Sequence, residues 1–160
     1  MNKMLEKKFK KIKLLVLDFD GVMTDNKVLV SEDGKEAVFC NRSDGLGIGM
    51  LIKKGVEIIV ISKEKNKVVQ ARCDKLEIKC LRGIDNKRDS FLREVKKRNL
   101  KLENVCFVGN DINDLECIKT AGIGVAVVDA YPEVLKAADY ITSKKGGRGA
   151  IREVVDLILK

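Results

Sequence analysis

The chain has 160 residues, the length of one ordinary domain, and its hydrophobic fraction of 45% is large enough to form a core. It contains no histidine, which excludes a Ser-His-Asp triad, a Cys-His pair and a histidine-ligated metal site. The net charge of +8 suits an anionic partner. With no tryptophan and only two tyrosines, however, the chain has no aromatic platform for stacking bases, and we expect no nucleic-acid partner.

Much of the positive charge lies in residues 1–13, and the short apolar run that follows is stopped by Asp18. Such a run is too short for a membrane span or the core of a signal peptide. None of the five cysteines forms a CxxC pair, and an odd number of thiols is typical of a reducing compartment. We therefore expect a cytoplasmic protein with no membrane segment.

The hydrophobic pattern predicts strands that alternate with helices. In chain order these are a strand at 12–17, a hairpin of 27–30 and 36–39, a helix at 43–54, a strand at 56–61, a helix at 66–76, a strand at 79–81, a helix at 86–98, a strand at 104–108, a helix at 112–120, a strand at 125–128, a helix at 132–138, a strand at 140–141 and a helix at 150–159. This alternation predicts an α/β fold, a parallel sheet with helices on both faces, in a single domain that spans residues 1–160. The hairpin, with Asp33-Gly34 at its turn, must project from that sheet.

Three predicted strands end in polar side chains that carry chemistry. These residues are Asp18, Asp20, Ser62, Asn110, Asp111 and Asp114. Because ligands bind at the carboxyl ends of the strands in open α/β sheets, we expect these side chains to meet at one rim. Clustered carboxylates repel one another unless a cation lies among them, and an oxygen-only site suits magnesium. Taken singly, Asp111 or Asp114 could equally be a helix cap.

The same residues resemble the motifs of the haloacid dehalogenase superfamily of phosphohydrolases. Four motifs occur in the family's order: Asp18-Phe19-Asp20-Gly21-Val22-Met23-Thr24, then Ser62 closing a strand, then Lys87 after Gly83-Ile84-Asp85-Asn86, and last Gly109-Asn110-Asp111 with Asp114. The resemblance implies a Rossmann-like fold and Mg²⁺-dependent hydrolysis of a phosphate ester. Within the fourth motif, Asn110 and Asp114 would support the site.

The resemblance also implies a role for each principal residue. Asp18 would attack phosphorus and form an aspartyl-phosphate, and Asp20 would protonate the leaving oxygen and then activate water. Magnesium would be held by Asp18, Asp111 and the backbone carbonyl of Asp20. Ser62 and Lys87 would hold the phosphoryl oxygens, although Lys87 could instead be an ordinary surface lysine.

The gaps between the motifs are too short for the cap domain that many superfamily members carry. A capless chain with this hairpin resembles the phosphatases of 2-keto-3-deoxy sugar acids, which act on 3-deoxy-manno-octulosonate 8-phosphate or on nine-carbon, sialic-acid-type 9-phosphates. Segments 20–25, 41–45 and 146–150 also resemble that family. Its members are typically tetramers in which neighbouring subunits cover the site, which implies a homotetramer here.

The loop after Ser62 indicates which sugar acid is bound. It reads Lys63-Glu64-Lys65-Asn66, where octulosonate enzymes usually read Thr-Gly-Arg and nonulosonate enzymes more often carry Glu-Lys. The resemblance thus favours the nine-carbon substrate, with Glu64 facing the sugar hydroxyls. The remaining expected substrate contacts are Asn41, Arg72, Lys75 and Arg148. An ordinary charged helix surface is the alternative for Glu64, Arg72 and Lys75, and a flexible glycine-rich turn is the alternative for Arg148.

Three other functions stay open at this point. The chain could hydrolyse the eight-carbon 8-phosphate, act less specifically on other sugar phosphates, or serve as a non-catalytic partner of a CMP-sugar-acid synthetase. The complete motif set argues against the non-catalytic role, because a scaffold has no need of Asp18, Asp20, Ser62, Lys87 and Asp111.

Overall fold

The computed structural model describes residues 3–160. Its helices are α1 (Lys3–Phe9), α2 (Arg42–Lys53), α3 (Lys67–Leu76), α4 (Lys87–Lys97), α5 (Leu115–Thr120), α6 (Pro132–Ala137) and α7 (Ala150–Leu159). Its strands are β1 (Leu14–Leu17), β2 (Leu29–Val30), β3 (Glu36–Ala37), β4 (Glu57–Ile61), β5 (Lys79–Leu81), β6 (Val105–Gly109), β7 (Ile123–Ala126) and β8 (Tyr140–Ile141). Two 3-10 turns, Leu102–Asn104 and Ile112–Asp114, precede β6 and α5.

Six strands form one parallel sheet in the order β5-β4-β1-β6-β7-β8. Strand β1 lies in the middle, where Val16 pairs with Ile59 on one side and Phe107 on the other. All four residues of β1 are buried, as expected for a strand covered on both faces. Helices α1, α2, α3 and α7 pack with one another as one layer, and α4, α5 and α6 as the other. The predicted α/β fold is therefore confirmed.

Strands β2 and β3 form a separate two-stranded hairpin, as predicted, although each strand is shorter than the predicted run. Gly34 has a φ of 77° at the turn, a conformation that glycine adopts without strain. The side chains of Val28, Leu29, Val30 and Phe39 are between 53% and 78% exposed. Only this hairpin and α2 lie between β1 and β4, so the described chain has no cap domain there.

Two predicted elements differ from the structure, and one helix was not predicted. The last long strand is Ile123–Ala126 and not residues 125–128, because Gly122 and Gly124 conceal its start in the sequence. The predicted helix 112–120 is a 3-10 turn followed by α5, because Asp111 and Asp114 cap a tight turn there. Helix α1 was not predicted, since its lysines mask a short apolar face that includes buried Phe9.

Within residues 3–160, no helix is long and apolar enough to cross a membrane.

Gly124 provides a test of packing between β7 and α5. A Cβ at Gly124 would overlap the carbonyl oxygen of Ile118, whereas a Cβ at Gly49 in α2 would meet nothing within 4 Å. We expect Gly124→Ala to lower the free energy of unfolding by about 1–3 kcal/mol through overpacking. Gly49→Ala should raise it by up to about 1 kcal/mol, because alanine favours a helix. Urea unfolding measures both, and equal effects would show that β7 tolerates a side chain at this position.

Candidate active site

The carboxyl ends of β1, β4 and β6 meet around one open cavity of about 220 Å³. Its lining contains most of the polar residues that the sequence singled out, and three that it did not. The lining residues are Asp18, Asp20, Asn26, Ser62, Lys63, Glu64, Lys87, Asn110, Asp111 and Asn113. The strand ends therefore converge as the fold class predicted.

Asp18 lies at the end of β1, where its backbone N–H still donates to Val108 of β6 at 3.0 Å. Its carboxylate is buried, and Oδ1 accepts hydrogen bonds from the Phe19 N–H at 2.7 Å and from the Lys87 Nζ at 2.7 Å. The structure gives Oδ2 no hydrogen-bond partner among the described residues, and Asp18 lines the cavity. The carboxylate is thus fixed through one oxygen, and the other is left for a ligand.

Lys87 is the first residue of α4 and is buried, which excludes the interpretation as an ordinary surface lysine. Its Nζ lies 2.7 Å from Asp18 Oδ1 and 2.7 Å from Asp114 Oδ1. Asn86 caps α4 by accepting a hydrogen bond from the Asp89 N–H at 3.0 Å, which fixes where the lysine enters the site. Lys87 therefore joins the first and fourth motifs through its two carboxylate partners.

Burial shifts the pKa values of the charged side chains in the cavity. It raises the pKa of Asp18 to about 8, with the nearby Asp114 carboxylate adding to the effect and Lys87 opposing it. Burial alone would lower the pKa of Lys87, but the two carboxylates overcome that effect and raise it. Partial burial also raises the pKa of Asp20, and the Glu64 carboxylate adds to that rise. A site with raised carboxyl pKa values is suited to holding and moving protons near neutral pH.

Asp114 is completely buried and organises the loop after β6. Its Oδ2 accepts from the backbone N–H groups of Asn110 at 3.0 Å and Asp111 at 3.3 Å, while its Oδ1 binds Lys87. A Cβ at Gly109 would lie 2.5 Å from the Asp114 Cβ, so this approach requires glycine. The Asp114 side chain is thus a supporting residue that orients Lys87 and the backbone carrying Asp111.

Residues 18–24 form the turn that follows β1, named the catalytic turn because it carries the two predicted catalytic residues Asp18 and Asp20. Thr24 is fully buried, and its Oγ1 accepts from the N–H groups of Gly21 and Asn26, each at 3.2 Å. Gly21 has a φ of 78°, and a Cβ there would overlap the Asn110 side chain. The turn therefore depends on a glycine for both its backbone conformation and its contact with the fourth motif.

Ser62 and Glu64 form the wall of the cavity that β4 supplies. The buried Ser62 Oγ accepts from the Glu64 N–H at 3.1 Å, which leaves the Ser62 hydroxyl hydrogen available to a ligand. The Glu64 Oε1 accepts from the N–H groups of Lys65 at 2.6 Å and Asn66 at 2.8 Å. Glu64 thus shapes its own loop as well as lining the cavity.

The other expected substrate contacts lie outside this cavity. Asn41 caps α2 by accepting from the Ser43 N–H at 2.8 Å, and the Arg72 Nη2 donates to the Asn41 carbonyl at 3.2 Å. Lys75 is exposed on α3. Arg148 pairs with Asp25 at 3.3 Å. None of these four side chains lines the cavity of its own subunit, which the spacing of residues in the sequence could not reveal.

Asn26, Lys63 and Asn113 line the cavity and were not predicted as site residues. Each is adjacent to a motif, so motif proximity is the one signal that could have found them. Asn26 has a φ of 64°, a left-handed conformation that asparagine tolerates better than most residues.

The donor atoms of the site fit a hard divalent cation. Asp18 and Asp111 supply carboxylates, and the buried Asn110 Oδ1 has no hydrogen-bond partner. Residues 3–160 contain no group of three acidic, cysteine or histidine side chains placed to hold a metal. In the expected ligand set, the carboxylates of Asp18 and Asp111 are completed by the backbone carbonyl of Asp20. Oxygen donors of this kind suit magnesium.

Comparison with known proteins identifies the family. Residues 78–154 match the family described as haloacid dehalogenase-like hydrolase. The 3-deoxy-D-manno-octulosonate 8-phosphate phosphatase KdsC of Escherichia coli K12 is 40% identical over 153 residues, which are 95% of this chain and 81% of that protein. The chain belongs to the haloacid dehalogenase-like hydrolases. Within this family its relatives are phosphatases, and it is a phosphoric monoester hydrolase.

Two solved structures of hydrolases from this family share the whole fold. The 3-deoxy-D-manno-octulosonate 8-phosphate phosphatase of Yersinia pestis is 34% identical, with a TM-score of 0.97 over 99% of this chain and 86% of that chain. The Moraxella catarrhalis enzyme of the same name is 32% identical, with a TM-score of 0.96 over 99% of this chain and 92% of that chain. That structure is a complex with a magnesium ion, a phosphate ion and KDO.

The raised pKa of Asp18 predicts how the stability of this hydrolase depends on pH. With a folded-state pKa of about 8 against an ordinary value of 3.8, the folded protein binds this proton more tightly than the unfolded chain does. Metal-free protein should therefore lose stability through Asp18 as the pH rises from about 4 to about 8. Asp18→Asn removes this loss, so the variant should exceed the wild type in stability by at least about 1 kcal/mol more at pH 8 than at pH 5. Urea unfolding in a chelator measures the difference, and a constant offset across this range would contradict the assignment.

Proposed function

We propose that this hydrolase removes the terminal phosphate of a 2-keto-3-deoxy sugar acid, with Asp18 as nucleophile and Mg²⁺ as cofactor. The observation that carries the proposal is the Asp18 carboxylate, held through Oδ1 by Lys87 and facing a cavity that also contains Asp20. The magnesium, phosphate and KDO in the Moraxella catarrhalis relative support the same chemistry. Bound Mg²⁺ would neutralise charge on the phosphate and on the carboxylates of Asp18 and Asp111.

In the first step an Asp18 carboxylate oxygen attacks phosphorus, and the bond from phosphorus to the sugar oxygen breaks. Asp20 donates its proton to that oxygen as the sugar acid leaves. The raised pKa of Asp20 favours the protonated form that this step needs. The Ser62 hydroxyl is placed to donate to a phosphoryl oxygen, because its own oxygen already accepts from Glu64.

In the second step the Asp20 carboxylate takes a proton from a water molecule, which attacks phosphorus. The bond from phosphorus to the Asp18 oxygen breaks, inorganic phosphate leaves, and both carboxylates return to their starting states. Lys87 stays on Asp18 Oδ1 throughout and stabilises the carboxylate as the leaving group. In this mechanism Lys87 acts on the nucleophile, a different role from the contact with the phosphoryl oxygens that the family resemblance implied.

Removing the nucleophile tests the enzymatic function directly. Asp18→Asn should retain less than about a hundredth of wild-type turnover on p-nitrophenyl phosphate with magnesium, because the covalent route is lost. Phosphate release measures the effect, and circular dichroism confirms that the fold is kept. Asp33→Asn, at an exposed hairpin position, is the matched control and should behave as the wild type. A wild-type protein without magnesium-dependent turnover would instead favour the non-catalytic partner role.

The relatives and the loop after Ser62 favour different sugar acids. The relatives act, by name, on the eight-carbon 3-deoxy-D-manno-octulosonate 8-phosphate, which supports that substrate. Glu64 favours the nine-carbon acid, because the resemblance associates Glu-Lys in this loop with nonulosonate enzymes and Glu64 lines the cavity. We therefore propose the eight-carbon and nine-carbon phosphates as the two candidates, to be separated by comparing kcat/KM for each.

Glu64 should discriminate between sugar-acid phosphates and simple esters. Glu64→Ala should lower kcat/KM on the better sugar-acid phosphate at least about tenfold more than on p-nitrophenyl phosphate, since the small ester has no hydroxyls to contact. Glu64→Gln keeps an acceptor for the Lys65 and Asn66 N–H groups and serves as the control for loop structure. Equal losses on both substrates would show that Glu64 supports the cavity in general.

We further propose that the enzyme is a homotetramer in which the hairpins cover the sites. The site is open and has no cap, and an isolated two-stranded hairpin is at best marginally stable. The exposed Leu29 and Phe39 supply apolar surface for a neighbouring copy, and Arg148 lies beside that surface. Sedimentation equilibrium should show a tetramer for the wild type and a smaller species for Leu29→Lys with Phe39→Lys. A wild-type monomer at micromolar concentration would contradict this proposal.

A further inference from the structure

The glycine-rich segment before α7 contacts the catalytic turn of its own chain. The Gly147 N–H donates to the Val22 carbonyl at 2.9 Å. A Cβ at Gly146 would overlap the Gly21 carbonyl oxygen, and a Cβ at Gly147 would overlap the backbone of Thr24. Two glycines thus allow backbone to lie directly on backbone, which no other residue type permits at this distance.

Asp129 supplies the side-chain contact to the first of these glycines, while the Asn41 Nδ2 donates to the Gly147 carbonyl at 3.5 Å. The Asp129 Oδ1 accepts a hydrogen bond from the Gly146 N–H at 3.0 Å. Asp129 itself is exposed and lies in the loop after β7, whereas Gly146 is buried. The carboxylate therefore anchors a buried glycine from outside and fixes the depth at which that glycine meets the Gly21 carbonyl.

The contact between Gly146 and Gly21 lies next to the two carboxylates that react in the proposed mechanism. Gly21 directly follows Asp20, and Asp18 begins the same turn. The turn is held from within by Thr24 and on one side by the Asn110 side chain. The Gly146–Gly147 backbone closes another side, so a change in its depth would move the backbone that carries both reacting carboxylates. Displacements of about 1 Å can cost about a hundredfold in rate when reacting groups must be aligned.

We propose that Asp129 is a positioning residue for the catalytic turn, acting through Gly146 on the carbonyl of Gly21. It touches neither substrate nor the reacting atoms. This role rests on the proposed phosphatase mechanism. It assigns to the glycine-rich segment an action inside its own subunit, distinct from the contact expected between Arg148 and a substrate.

The chain contains a matched control at Asp139. The Asp139 Oδ2 accepts from the N–H of buried Gly124 at 2.8 Å, and Asp139 is also exposed. The two aspartates thus make the same kind of bond, but Gly124 lies in β7 and does not contact the catalytic turn. Asp129→Ala and Asp139→Ala should cost similar stability, so that a difference in turnover reports position and not folding.

The experiment compares wild type, Asp129→Ala, Asp129→Asn and Asp139→Ala. Asp129→Ala should lower kcat about tenfold or more, equally on p-nitrophenyl phosphate and on a sugar-acid phosphate, with KM nearly unchanged. Asp129→Asn keeps an acceptor oxygen and should recover most of the loss. Asp139→Ala should keep wild-type kcat. Equal kcat values in the two alanine variants, or a loss confined to KM, would overturn the proposal.

Hydrogen exchange provides a readout that does not require turnover. The N–H groups of Met23 and Thr24 donate to the Phe19 carbonyl at 2.9 and 3.1 Å. They should exchange faster in Asp129→Ala than in Asp139→Ala, because only the former loosens the turn. If the wild type proves inactive, the proposed function fails. The difference in exchange between the two variants still tests whether Asp129 holds the catalytic turn through Gly146. Identical exchange of the turn in both variants would overturn it.

Discussion

The contact on which the site depends is the bridge from Lys87 to Asp18 and Asp114. It places one ammonium group between two buried carboxylates, each at 2.7 Å. Breaking such a buried pair typically costs about 3–5 kcal/mol, because it leaves an uncompensated charge in a low-dielectric interior. The rest of the fold secures the three partners: β1 carries Asp18, the Asn86 cap fixes α4, and the turn after β6 buries Asp114. The fold thus holds the Asp18 carboxylate in place at the end of β1.

The bridge also explains why the surrounding loops are so tightly specified. Asp114 uses its second oxygen on the Asn110 and Asp111 N–H groups, so the residue that orients Lys87 also sets the backbone around Asp111. Glycines at 21, 109, 146 and 147 bring neighbouring groups closer than any side chain would allow. The catalytic turn is therefore enclosed by the fourth motif and by the segment before α7. Its geometry depends on contacts that are far apart in the sequence.

The sequence predicts residues that follow an apolar strand, but it does not predict contacts between residues that are far apart in the chain. Asp18, Asp20, Ser62 and Asp111 were placed correctly, since each follows an apolar strand and parallel strands deliver their ends to one edge. The contact between Lys87 and Asp114 was not predictable, because the two residues are 27 positions apart and no periodic pattern of the sequence encodes their contact. Arg72 and Lys75 were placed on the right helix, but a charge pattern does not reveal whether a side chain points at the cavity. The predicted start of β7 was wrong, because glycines that are needed for packing against α5 interrupt the apolar run of this strand.

This chain is similar to its relatives over nearly its whole length. Identity of 40% with the Escherichia coli phosphatase extends over 95% of this chain, and the two solved relatives share the fold with TM-scores of 0.96 and 0.97. Transfer of the phosphoryl group to Asp18 is the step on which the proposed mechanism depends. It is tested most directly by quenching the enzyme during turnover, reducing it with borohydride and locating the product by mass spectrometry. We expect conversion of Asp18 to homoserine only in samples that contain substrate, and modification of another carboxylate, or none at all, would contradict the proposed mechanism.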